Sequence, residues 1–106
     1  MKKQWIGFHS TPNGRITVDD GAARALVSEG RSLLPAGIVG AEGEFHPGDV
    51  VEVVDTDGLP IGRGVVNYAS WQVQAAAGLS TDEVRKRVDV VRMEVIHRDE
   101  WVSFPR

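Results

Sequence analysis

Residues 19–39 read DDGAARALVSEGRSLLPAGIV, and this stretch decides the fold. Its first half is written as a helix. Asp19 or Asp20 can accept from the free first-turn N–H groups, and a carboxylate suits the positive end of the helix dipole. Ala22, Ala23, Leu26 and Val27 fall on one face at helical spacing, leaving Arg24 and Ser28 outward. Gly30 is placed to stop the helix, because a left-handed backbone costs least without a Cβ, which gives a helix of about ten residues. The second half reads differently. Pro35 pushes Leu34 out of helical geometry, and Gly37 frees the backbone just before the β-branched pair Ile38-Val39. An extended lead-in to a buried strand is expected, with Leu33 and Leu34 anchoring a core.

Working outward, RITV (residues 15–18) alternates as a half-buried strand does. Residues 1–14 before it read as a leading arm, in which WIGF is a short strand and STPNG a turn. Downstream, HPGD (46–49) carries Pro and Gly in the order of a type II turn, and DTDG (55–58) is a second turn. These separate the strands VVEVV (50–54) and LPIGRGVVNY (59–68). Ser70 is expected to cap a short helix WQVQAAA ended by Gly78, and Ser80 with Glu83 forms a capping box for TDEVRKRV. The end of the chain, RMEVIHRDEWVSF, reads as one or two strands around a polar turn. With no internal repeat or linker, the expectation is one domain over 1–106: mixed β with short α-helices, a pseudo-barrel of about five to six strands.

Composition bounds the function. The chain has 106 residues, 42% hydrophobic and 25% charged, as expected of a folded domain. That length is short for an enzyme that must enclose a nucleotide and a second substrate. A formal charge of −3 gives no overall pull toward phosphate backbones. With no cysteine, disulfides, thiolate metal sites and cysteine nucleophiles are excluded. No apolar run approaches membrane-spanning length and no signal peptide follows the first lysines, so a cytoplasmic location and no membrane partner are expected.

Several motifs tempt and fail. His97-Arg98-Asp99 matches the first letters of the protein-kinase catalytic loop, but the metal-binding asparagine position holds Phe104 and the phosphate-handling loop is missing. GRGVVN (62–67) begins like a dinucleotide fingerprint yet has Asn67 where the third glycine belongs; a strand with two glycines for close approach is the better reading. His9, His46 and His97 are dispersed, so no metal is assigned. Glu42, Glu44, Asp49, Glu52, Asp55 and Asp57 match no calcium loop and read as turns and solvent-facing strand positions. Arg85-Lys86-Arg87 reads as a solvated helix face, and Trp5, Trp71 and Trp101 as core or interface residues. No catalytic residue and no cofactor is assigned.

The stretch from Arg15 to Ser70 resembles a PUA domain, the small pseudo-barrel named for pseudouridine synthases and archaeosine transglycosylases. More closely, the pattern VDDGA..AL...G.SLLPAGI...EG.F..GD.V with the ending EVIHRDEWV is similar to the C-terminal PUA domain of bacterial glutamate 5-kinase. SLLPAGI and the terminal HRD separate that subgroup from other PUA domains. The resemblance covers essentially the whole chain, including the leading KKQWIGF.

It implies an accessory or regulatory domain in proline biosynthesis, non-catalytic by itself. The ATP and glutamate sites would belong to an amino-acid-kinase domain that these residues do not contain. That kinase domain is the implied partner, with homo-oligomers formed through the parent enzyme. The chain is expected to be a separately expressed domain of such an enzyme, residues 1–14 being the arm that leads from the kinase domain. In RNA-modifying proteins, PUA domains hold RNA against the first helix and the segment after it. Carried over by position, that surface comprises Arg24, Arg31, Ser32, Leu34, Pro35, Ala36 and Gly37. Arg31 would meet phosphate, Ser32 would donate a hydrogen bond, and the Pro-Ala-Gly backbone is bare enough for close approach. Charge argues the other way, since three arginines between Arg15 and Gly37 are balanced by Asp19, Asp20 and Glu29. A stand-alone RNA-binding PUA module and a protein-interaction domain therefore stand as the alternatives to the accessory domain.

Overall fold

The computed structural model describes residues 11–105. The expected strand at WIGF lies outside the described residues. Among the described residues, five strands and three α-helices run in the order β1 (Gly14–Val18), α1 (Asp20–Val27), β2 (Ile38–Gly43), β3 (Val50–Val54), β4 (Pro60–Val66), α2 (Ser70–Ala76), α3 (Thr81–Arg87) and β5 (Ile96–Ser103). The strands form one sheet in the order β2-β1-β3-β4-β5, in which β1 and β3 run parallel and all other neighbours antiparallel. A lone antiparallel bridge from Leu33 to Ile96 ties the segment before β2 to the far edge strand, which closes the sheet into a pseudo-barrel. Among the described residues, no helix is long and apolar enough to cross a membrane.

Alternation along the strands builds the core. Ile16 and Val18 of β1, Val51 and Val53 of β3, and Ile96 and Trp101 of β5 are buried, with Leu26 of α1, Leu33, Val73 of α2 and Val84 of α3 sealing the ends. Opposite the inward pairs Val53 and Val51, β4 presents Gly62 and Gly64. A Cβ on Gly62 would overlap the Trp101 indole and the Val102 carbonyl, and one on Gly64 would meet Ile96. The glycines thus vacate the inner face of β4 for two large side chains of β5, which is why GRGVVN is a strand. The outward row at the same register alternates in charge: Glu42, Arg15, Glu52 and Arg63 stand side by side across four strands. Arg15 lies 3.5 Å from Glu42 and 3.6 Å from Glu52, and the Arg63 guanidinium sits 5.9 Å from the Phe104 ring centre.

The turns follow their residues. Gly48, at φ 97°, takes the third position of the type II turn, and Asp49 donates its N–H to the His46 carbonyl. Asp55 Oδ1 accepts from the N–H groups of Asp57 and Leu59 around the second turn. Asp49, Asp55 and Asp57 of this stretch are therefore turn-formers, and Glu42 and Glu52 are members of the outer row.

Four local expectations are corrected. The helix α1 has eight residues, because Gly30 acts two residues beyond the C-cap Ser28. Ser70 is the first residue of α2 and not its cap; Ala69 takes that place, and Gln72 reaches back to accept from the Ala69 N–H at 2.7 Å. Pro35–Gly37 is a turn of 3-10 helix, where an extended lead-in was expected, and of the two leucines before it only Leu33 is buried, Leu34 being 45% exposed. The chain end is one strand, Ile96–Ser103, and its polar residues 97–100 are an irregularity in the pairing with β4, between Ile96 opposite Val66 and Trp101 opposite Gly64, where a turn was expected. Of the tryptophans read as core or interface, Trp101 is core, and Trp71, 61% exposed on the outer face of α2, is left to the interface reading.

Replacing Gly62 with alanine should lower stability by about 2 kcal/mol through overpacking against Trp101. Gly40→Ala, where a Cβ meets nothing within 4 Å, should leave it unchanged or slightly raised. Urea denaturation of the two variants checks the contrast.

Candidate functional site

The segment Arg31–Gly37 links three parts of the fold, and the candidate surface forms around it. Asp19 caps α1, its Oδ1 accepting from the Ala22 N–H at 2.8 Å, and the Asp19 N–H donates to the Gly37 carbonyl at 2.9 Å. At the other end of α1, Gly30 at φ 63° turns the chain so that the Arg31 N–H returns to the Ala25 carbonyl. Leu33 then pairs with β5: its N–H donates to the Ile96 carbonyl at 2.9 Å, and its carbonyl accepts from Val95 at 2.8 Å. Ser32 is the neighbour of that pair, and its Oγ accepts the Arg98 N–H at 2.9 Å, 66 residues away in sequence. SLLPAGI and HRD, far apart in the chain, are thus one contact.

This junction opens as a groove of about 510 Å³ lined by Glu29, Arg31, Ser32, Glu94, His97 and Arg98, with Gly30 at its edge. Its charges are mixed. The Arg31 guanidinium is held 3.1 Å from Glu29, and Glu94 faces the same groove as Arg98. His97 Nδ1 accepts the Asp99 N–H at 3.0 Å, so the neutral ring carries its proton on Nε2. Because Ser32 Oγ accepts from backbone, its own hydroxyl proton remains available to donate. Such a lining offers hydrogen bonds to a polar ligand with little net attraction for an anion.

The seven residues carried over to the surface take different places. Arg24, Arg31, Leu34 and Ala36 are exposed, and Ser32 is half-buried at the junction. Pro35 is buried, and its carbonyl accepts from Gly78 at the end of α2. Gly37 faces α1, where a Cβ would come within 2.5 Å of Ala22 Cβ. These two residues serve packing. The groove also contains His97, Arg98 and Glu94, which sequence reasoning left out. The signal was present in the terminal HRD, but no local pattern says that it pairs with Leu33.

A profile of the PUA domain matches residues 14–88. The chain belongs to the PUA family. Over 104 residues, 98% of its length, this PUA domain is 48% identical to glutamate 5-kinase of Geobacillus thermodenitrificans and 45% identical to that of Bacillus cereus strain G9842. It spans 28% of the length of either relative. Among solved structures it is similar to a PUA domain of Aeropyrum pernix K1 in complex with tartrate, at 32% identity and a TM-score of 0.55, covering 83% of this chain and 45% of that one. The family profile stops short of β5, whereas the glutamate 5-kinases match nearly the whole chain. Likeness to those enzymes thus extends through the strand that carries HRD.

Ser32→Ala removes the acceptor of the Arg98 N–H and should cost about 0.5–1 kcal/mol, the bond being solvent-exposed. Its signature is faster hydrogen exchange at the Arg98 amide, with the amides of β3 unchanged.

Proposed function

We propose that this PUA domain is the non-catalytic accessory domain of a glutamate 5-kinase, working in the cytoplasm in proline biosynthesis without a metal or cofactor of its own. The observation that carries the reading is the 48% identity over 98% of the chain against only 28% of the relative, which leaves the larger part of that enzyme to supply catalysis. The domain's role is then to dock on the amino-acid-kinase domain and to bias its response to proline or its association into oligomers. Exposed Leu34, Val39 and Trp71 supply apolar area for that contact.

A second reading, binding of structured RNA, is favoured by one observation: Arg31, Arg98 and the available Ser32 hydroxyl line the same groove. Glu29 and Glu94 offset those cations there. Titration with structured RNA at low salt separates the readings, because electrostatic binding is strongest under that condition.

Deleting this domain from the full-length enzyme should preserve kinase activity while moving the proline concentration for half-inhibition, or the oligomer equilibrium, by about fivefold or more. Unchanged inhibition and assembly would remove the regulatory role. Loss of all catalysis with the kinase domain still folded would overturn the non-catalytic assignment.

A further inference from the structure

A second groove, sharing no residue with the one at the SLLPAGI junction, lies between the end of α3 and the loop that follows it. Arg85, Lys86 and Arg87 form the last turn of α3, and Arg92 lies beyond it, so eight residues hold four cations against the single carboxylate Asp89 in a chain of net charge −3. Cations at a helix C-terminus complement its dipole, which accounts for the first three. It does not account for Arg92, which stands outside the helix.

The loop is held in place from both sides. Val88 is buried and donates its N–H to the Val84 carbonyl. Gln72 Nε2 then donates to the Asp89 carbonyl at 2.7 Å, and the Tyr68 hydroxyl donates to the Met93 carbonyl at 2.9 Å. Asn67 holds the next two carbonyls, with Nδ2 on Glu94 at 3.1 Å and its N–H on Val95 at 2.8 Å. Burial, with a smaller contribution from Glu94, pushes the Tyr68 hydroxyl up to about 12, so it remains a donor at neutral pH. Between these fixed points Val91 is fully exposed and Arg92 projects beside it. The tip is displayed by a rigid frame, and the four cations line one groove of about 550 Å³.

Among the described residues, none of the four makes an ion pair. Like charges gathered on a fixed frame repel, and an anion between them relieves that cost. Three of the four are arginines, whose planar donor forks match phosphate oxygens. The patch is also bounded: Asp82 and Glu83 begin the same helix, and Glu94 follows the tip. A polymer backbone needs a basic track that continues, whereas a bounded patch of this volume suits a small molecule.

We propose that the groove between the end of α3 and the Val91–Arg92 tip binds a compact anion with adjacent phosphate groups, of about the size of a triphosphate. Inorganic tripolyphosphate titrated into the chain at low salt, followed by amide chemical shifts and calorimetry, tests this directly. Shifts confined to residues 85–93 are expected, with affinity about tenfold weaker in Arg92→Gln and in Arg85→Gln. Arg15→Gln, which removes the same charge from the sheet face, should bind as the parent chain does. Thermal melts of the variants establish that each is folded, since all the substituted side chains are exposed. Absence of shifts at 85–93, or equal affinity in Arg92→Gln, overturns the site. A glutamate-rich peptide bound as tightly as tripolyphosphate overturns the phosphate assignment, and RNA bound more tightly at the same residues overturns the compact ligand.

Discussion

The fold depends on two backbone hydrogen bonds, Leu33 N–H to the Ile96 carbonyl and Val95 N–H to the Leu33 carbonyl. Without them β2 and β5 are separate edges of an open sheet; with them the edges approach and the sheet encloses a core. The bridge brings Leu33 inside, a burial that contributes about 2 kcal/mol. The same short segment then holds both flanking helices. Gly37 accepts from Asp19 at the start of α1, and Pro35 accepts from Gly78 after the end of α2. Proline suits this position because its ring sets φ for the 3-10 turn and its missing N–H is not needed there.

Closure also requires β5 to lie close against β4 where Trp101–Ser103 pair with Gly62–Gly64. Gly62 and Gly64 permit that approach, and Trp101 fills the space they leave, its indole N–H satisfied by Ser103 Oγ at 2.8 Å. On the outer face the alternating row of Glu42, Arg15, Glu52 and Arg63 gives each strand a neighbour of opposite sign. Such exposed pairs contribute little stability individually, and their effect is on register, since a one-residue slip would turn the charges inward. Core shape and outer charge therefore select the same alignment.

Much of this was legible in sequence where the cause was local. The Asp19 cap, the Ser80 and Glu83 box, and the glycine turns at 48 and 58 follow from interactions within four residues, and the structure contains each. Distant causes were not legible. His97-Arg98-Asp99-Glu100 reads as a turn because it is polar, yet it continues the strand as an irregularity in the β4 pairing, between Ile96 opposite Val66 and Trp101 opposite Gly64, with the Arg98 N–H held by Ser32 from far away in the chain. Ser70 has the chemistry of a cap, but its N–H is taken by the Phe45 carbonyl and Gln72 serves the Ala69 N–H instead. The candidate site divides in the same way. Arg31 and Ser32 could be named from the segment itself, while His97 and Arg98 arrive from 66 residues away through the Ser32 contact.

SLLPAGI and HRD are consequently a single structural device, and the proposed accessory role rests on a domain closed at that point. Native-state hydrogen exchange at the Leu33 and Val95 amides tests that claim most directly. Both are expected to exchange only by global unfolding, with the same denaturant dependence as the amides of the central strand β3. Exchange through local opening, with β3 still protected, would mean that the barrel is not closed at this bridge and would contradict the account.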